Sequence, residues 1–300
     1  MHSFLKSVGY TVEGNPGEIE EIIRTTILKA EYRKEVKLKR GGKLIEYIRF
    51  TTDDSGIIVV GEEDEEKKFH YKYYFPFGVS AGSINPEDEF YINKKVDSDA
   101  YTAMCDDPRV GMSLIFYVVN VVDFLKFYKG EKRLENKAAQ FVGLADSGKI
   151  ILPTLIHVEN REKQKKENNK KNKLVAEAKK GNQEAIENLT LDDITRYAII
   201  SERIRKEDIL SIVETSIVPY GSESDMYKIT GNIEEVRKLE NIETKEEIWH
   251  LTINVDEIPM DVYINAKDLM GEPTPGRRFR GNVWLQAELL DMKEKGIPKG

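Results

Sequence analysis

The 300-residue chain has one cysteine, Cys105, and four histidines. A lone cysteine excludes an intramolecular disulfide and a cysteine-rich zinc site, and it favours a reducing compartment. His2, His70, His157 and His250 are scattered, and no pair has the local spacing of a zinc helix or finger. His250, on the outward face of a strand, reads as an ordinary surface residue. No long hydrophobic run is present: the most apolar stretch, Val110 to Val122, is too short to span a bilayer and carries Asn120. The opening MHSFLKSVGYTVEGNPGEIEE lacks the apolar core of a signal peptide, so the expected location is cytoplasmic, with no membrane partner. Gly41-Gly42-Lys43 lacks the spacing of a phosphate loop, and Ser80-Ala81-Gly82-Ser83 is not a nucleophile elbow. No cofactor is implied. Positive charge is also in deficit: the net charge is −7, which opposes nonspecific binding to nucleic acid over most of the surface.

The composition is that of a soluble globular chain, 40% hydrophobic and 33% charged. Residues 17–32 place Ile19, Ile22, Ile23, Ile27 and Ala30 on one helical stripe. Four strand-like runs come next: KEVKLKR, KLIEYIRFT, SGIIVVGEE and KKFHYKYYF. Gly41-Gly42 and Asp53-Asp54-Ser55-Gly56 supply hairpin turns, so an antiparallel meander is expected. Alternation in the fourth run sets Phe69, Tyr71, Tyr73 and Phe75 on one face. Val110 to Tyr128 fits either a helix or a buried strand, and its length favours a helix. Residues 139–156 read as a hairpin turning at Asp146-Ser147-Gly148.

Residues 158–180 hold nine Lys or Arg against four Glu and read as an exposed basic linker. Short helices are expected over 182–213, with Thr190 as a cap for one of them. Residues 226–290 then alternate like a small closed barrel, with Trp249, Leu251, Ile253 and Val255 inward and His250, Thr252 and Asn254 outward. The expected architecture is α+β. An N-terminal antiparallel sheet with helices spans 1–157, a basic helical linker spans 158–181, and short helices plus an oligonucleotide/oligosaccharide-binding (OB)-like barrel span 182–300.

Several segments together resemble one family: MHSFLKSVG, GMSLIFYVVN, GNQEAIENLTLDDI, EDILSIVETSIVPYG, SDMYKITG and PGRRFRGNVWLQAELL. It is an uncharacterised family of clostridial bacteria, catalogued only as a domain of unknown function, and the similarity runs over nearly the whole chain. The resemblance implies a bacterial cytoplasmic protein and carries no activity or ligand with it. Where many relatives have glycine after WLQ, this chain has Ala287.

The segment with most chemical content is PTPGRRFRGNVWLQ. Arg277, Arg278 and Arg280 bring three guanidiniums to the base of a strand, beside Phe279 and Trp284. Guanidinium forks suit phosphates or carboxylates, and an aromatic ring can stack on a base or sugar. The competing reading has Phe279 and Trp284 filling the barrel and the arginines pairing Glu272 and Asp268. Arg277, Arg278, Arg280 and Trp284 are therefore the candidate binding residues. The functional reading is a noncatalytic binding or regulatory protein whose candidate ligand is nucleic acid, another polyanion or a protein partner. The alternative is an enzyme with a carboxylate-based site between the two halves.

Overall fold

A computed structural model describes residues 2–12, 16–38, 41–82, 90–95, 100–107, 111–127, 133–134, 137–152 and 215–291, together with scattered positions between 174 and 191. The linker expected at 158–181 lies almost wholly outside the described residues, as do the helices expected beyond 191. At 182–191 the helix start is Asn182, whose Oδ1 accepts from the amides of Glu184 and Ala185 at 3.1 and 3.3 Å. Thr190 sits at a helical position, and the segment it was expected to cap lies outside the described residues.

The fold is mostly β, where the sequence suggested α+β. The first sheet is the expected meander: β1 (Tyr32–Lys37), β2 (Lys43–Phe50), β3 (Ser55–Glu63) and β4 (Phe69–Gly78), antiparallel and in chain order. A register shift between Val60 and Gly61 leaves Lys72 as an extra residue in β4. Such a bulge reverses the facing of the residues beyond it. Tyr73, Phe75 and Phe77 therefore enter the main core, Phe69 packs on the opposite face, and Tyr71 stays 46% exposed. That corrects the single face assigned to them.

One face of this sheet is covered by a 3-10 turn (His2–Val8) and by α1 (Pro16–Leu28). Leu5, Val8, Ile22, Ile57, Val59 and Tyr74 form that smaller core, with Ile19, Ile23 and Ile27 of the helical stripe packed on it. The other face shares one continuous apolar core with the second sheet.

The second sheet comprises β5 (Phe90–Lys94), β6 (Tyr101–Asp107), β7 (Met112–Val118), β8 (Arg133–Leu134), β9 (Lys137–Ile151), β10 (Ser216–Pro219), β11 (Met226–Glu240), β12 (Glu247–Val255), β13 (Ile258–Asn265), β14 (Leu269–Met270) and β15 (Arg278–Asp291). Five of these close on themselves in the order β11, β12, β13, β9, β15 and back to β11. The β13–β9 contact is parallel and the other four are antiparallel, so the barrel is mixed. Leu251, Ile253 and Val255 are fully buried, as their alternation requires, while Trp249 is only partly covered.

Two expectations are corrected here. Residues 112–118 are a strand, and a helix, α2 (Val121–Phe127), begins only after Asn120. Asp146-Ser147-Gly148 is no turn: β9 runs straight through it, and Asp146 is the extra residue of a bulge opposite Asn282 and Val283. The strand that the hairpin reading would have broken is the one that closes the barrel.

Candidate functional site

The sequence-derived residues separate into buried and exposed groups. Trp284 is 4% exposed, donates Nε1–H to Asp225 Oδ2 at 3.1 Å and packs against Phe4 and Tyr117. Arg278 is 3% exposed, and its Nε donates to the Leu152 carbonyl at 2.9 Å. Phe279 is fully buried. Arg277 is exposed at the turn before β15 and donates to the Glu272 carbonyl, while Arg280 is half-buried. Asp268 pairs with Lys6 rather than with an arginine of this group.

Around Arg280 the strand register assembles a wider surface. Ser216, Thr230, Arg280 and Lys149 lie side by side on β10, β11, β15 and β9. The next parallel row, two residues along, is Val218, Lys228, Asn282 and Ser147. Cross-strand partners share a face. The alternating positions Ile217, Ile229, Phe279, Gly281 and Val283 point into the barrel, so these two rows take the other side of the sheet, where Thr230 is itself buried at 4% exposure. The eight positions include three cations and no carboxylate. Among the described residues Arg280, Lys149 and Lys228 make no ion pair, and Lys228 Nζ lies 5.1 Å from the ring centre of Tyr220. Asp146 stands at the edge of the surface, accepting from Ser147 Oγ at 2.7 Å.

The second cluster was not legible in the sequence. His250 is 4% exposed, so its reading as a surface residue is corrected: the first sheet packs over it. Its Nε2 lies 2.8 Å from Asp261 Oδ1 on β13, and its Nδ1 lies 3.0 Å from Asp54 Oδ2 in the β2–β3 turn. Arg237 of β11 pairs with Asp54 and brings Nη2 to 2.6 Å from His250 Nδ1. Asp261 also accepts from Ser80 Oγ at 2.6 Å and Thr252 Oγ1 at 2.7 Å. The Tyr263 ring stacks on the imidazole at 4.4 Å between centres, and its hydroxyl donates to the Val79 carbonyl at 2.7 Å.

Burial pushes the His250 imidazole toward neutrality, but the bonds to Asp261 and Asp54 and their charges outweigh it, leaving the ring above its ordinary range. Burial likewise raises Asp54 and Asp261, and the bonds from His250 overcome it, holding both carboxyls below the usual range. The arrangement is closed: both ring nitrogens, both Asp261 oxygens and Asp54 Oδ2 already have partners. A general base would have to abandon a carboxylate to act.

Two open depressions occur elsewhere. One of about 490 Å³ is lined by Lys43, Glu62, Asp64, His70 and Lys72, and one of about 420 Å³ by Tyr10, Glu18, Glu21, Ile22 and Thr244. Among the described residues no group of three or more His, Cys, Asp or Glu could hold a metal ion, and no helix is long and apolar enough to cross a membrane.

Residues 5–287 match a family model described as a domain of unknown function from an E. rectale gene description, DUF3881. The chain belongs to this family. The match takes in both sheets, the His250 cluster and the outward surface around Arg280. No curated protein and no solved structure matches the chain.

Proposed function

We propose that this protein is a noncatalytic binding protein that holds a polyanion on the outward face of β10, β11, β15 and β9. The observation that carries this reading is the Arg280–Lys149 pair. The two residues are register partners across β15 and β9, and neither has a carboxylate to neutralise it among the described residues. Like charges set opposite each other destabilise a sheet. A chain of net charge −7 has acidic residues to spare, yet none stands in these two rows. Lys228 extends the positive strip, while Ser216 and Asn282 add uncharged polar groups between the cations. Arg278 and Trp284 serve the reading only by fixing the strand beneath.

The barrel supports an OB-like assignment in permuted chain order. Its first three strands are β11, β12 and β13, and a 3-10 turn at Ala266–Asp268 comes after the third. OB barrels usually take oligonucleotides or oligosaccharides on the face of strands two and three. Here that face carries His250, Thr252, Asp261 and Tyr263 and is covered by the first sheet, which is why the ligand is assigned to the opposite strands. The carboxylates between the two sheets, Asp54 and Asp261, are engaged by His250, Arg237, Ser80 and Thr252. We therefore do not adopt the alternative of a carboxylate enzyme site there.

Fluorescence anisotropy with labelled single-stranded RNA, single-stranded DNA and inorganic polyphosphate tests the proposal. Three phosphate contacts on a single strand give a slope of log K against log salt of about −2, at roughly −0.7 per contact. The double variant Arg280→Glu, Lys149→Glu is expected to abolish binding with an unchanged circular dichroism spectrum. Absence of binding to all three probes at low salt, or equal binding by the double variant, refutes the proposal.

A further inference from the structure

We propose that His250 is a proton-operated latch between the first sheet and the barrel. The geometry gives the ring two sets of partners. With both nitrogens protonated, Nδ1–H donates to Asp54 Oδ2 and Nε2–H donates to Asp261 Oδ1, at 3.0 and 2.8 Å. Asp54 belongs to the first sheet and Asp261 to the barrel, so only the doubly protonated ring bridges the two. Once the Nδ1 proton leaves, that nitrogen becomes an acceptor, and the donor beside it is Arg237 Nη2 at 2.6 Å. Arg237 lies on β11, so the ring then bonds barrel to barrel and its link to the first sheet is gone.

Charge obeys the same division. The charged groups facing the ring are Asp54 from the β2–β3 turn, Arg237 from β11 and Asp261 from β13. Tyr263, also on β13, stacks on the ring and is held neutral, its hydroxyl pushed far above its ordinary range by burial. Ser80, beyond the end of β4, and Thr252, on the histidine's own strand, supply neutral hydroxyls. With imidazolium present, two cations balance two carboxylates. Without it, one net negative charge stays in a largely buried site, and Asp54 keeps only Arg237. Uncompensated charge of this kind is costly. Asp54 Oδ1 is buried without a partner among the described residues, which leaves the turn more dependent on the bonds to Oδ2.

The pH window is set by the directions of the shifts. His250 is raised, so its contribution is complete below about pH 6.5 and is lost as pH rises through the folded-state value. Asp54 and Asp261 are lowered, so acid undoes the latch only below the usual carboxylate range. The latch is closed in mildly acidic solution and loosens toward alkaline pH. Its opening frees the β2–β3 turn and the end of β4 from the barrel, while the shared apolar core holds the two sheets together.

Hydrogen exchange of the full chain between about pH 5.5 and 9, corrected for intrinsic base catalysis, brackets the ordinary histidine range and reads this directly. The reporters are segments 50–56 and 76–82, where the Val79 amide bonds the Asp54 carbonyl at 2.9 Å. Protection there is expected to fall several-fold as His250 loses its proton, with little change in the inner strands of the barrel. In His250→Gln the profile is expected to be flat at the less protected level. A flat profile in the parent protein, or an unchanged pH dependence in His250→Gln, overturns the proposal. If His250→Gln does not fold, Asp54→Asn decides: it is expected to shift loss of protection to lower pH, and an unmoved midpoint overturns the latch.

Discussion

Replacing Phe279 with Ala is expected to lower the unfolding free energy by about 3–5 kcal/mol, the range for removing a fully buried phenylalanine. The ring is 0% exposed and lies where β15 pairs with both β9 and β11. Its bed is made by two glycines that are register partners, Gly281 and Gly148. A Cβ at Gly148 would stand 2.5 Å from Phe279 Cε2, and one at Gly281 would stand 2.5 Å from Cζ. The ring therefore lies close over the two backbones, and neither glycine carries a side chain that could fill the space it leaves. The same packing makes Gly148→Ala destabilising, because the new methyl overlaps the ring. Combining Gly148→Ala with Phe279→Ala is then expected to cost less than the sum of the two, since the methyl occupies part of the cavity. Urea unfolding of the three variants measures this. Strict additivity would show that the ring can move aside.

The meander and the barrel strands were legible because local signals agree there. Gly41-Gly42 and Asp53-Asp54-Ser55-Gly56 punctuate runs of clean alternation, and 249–255 alternates without interruption. β9 was misread because Asp146-Ser147-Gly148 has the composition of a turn. In place, Asp146 is a bulge, Ser147 faces outward, and Gly148 makes room for Phe279, a residue on a distant strand. Lys149 was overlooked for the same reason: with β9 broken at 148, nothing set it beside Arg280. His250 was misread because alternation says which face a side chain takes and not what covers that face. Its partner Asp54 is 196 positions distant in a turn whose composition already had a sufficient local explanation. The boundary at Asn120 was hidden similarly. Its side chain exchanges hydrogen bonds with the Leu289 backbone at 2.9 and 3.0 Å, and the helix after it is capped from another sheet.

That cap is Glu46, and replacing it with Gln is expected to stabilise the protein at about pH 8, above the range in which the buried acid titrates. Glu46 is fully buried in β2, with Oε1 accepting from the Val122 amide at the start of α2 at 3.0 Å and Oε2 without a partner among the described residues. Burial pushes its carboxyl up to about 7, against the opposing pull of the Val122 amide and of Lys34. The folded state thus holds this proton more tightly than the unfolded chain does. For an acid raised in this way, stability declines as pH rises from the unfolded-state value toward 7 and stays reduced above it. Taking about 1.4 kcal/mol per pH unit over that interval, the ionised carboxylate costs on the order of 3 kcal/mol at about pH 8. A glutamine keeps an oxygen for the Val122 amide and replaces the charged Oε2 with a neutral NH₂ group. At about pH 5 the neutral glutamic acid and glutamine are expected to be equivalent to within about 1 kcal/mol. Unfolding of both proteins in urea at the two pH values separates the two contributions. A variant weaker than the parent at the higher pH would mean that the negative charge at the start of α2 is worth more to the helix than its burial costs.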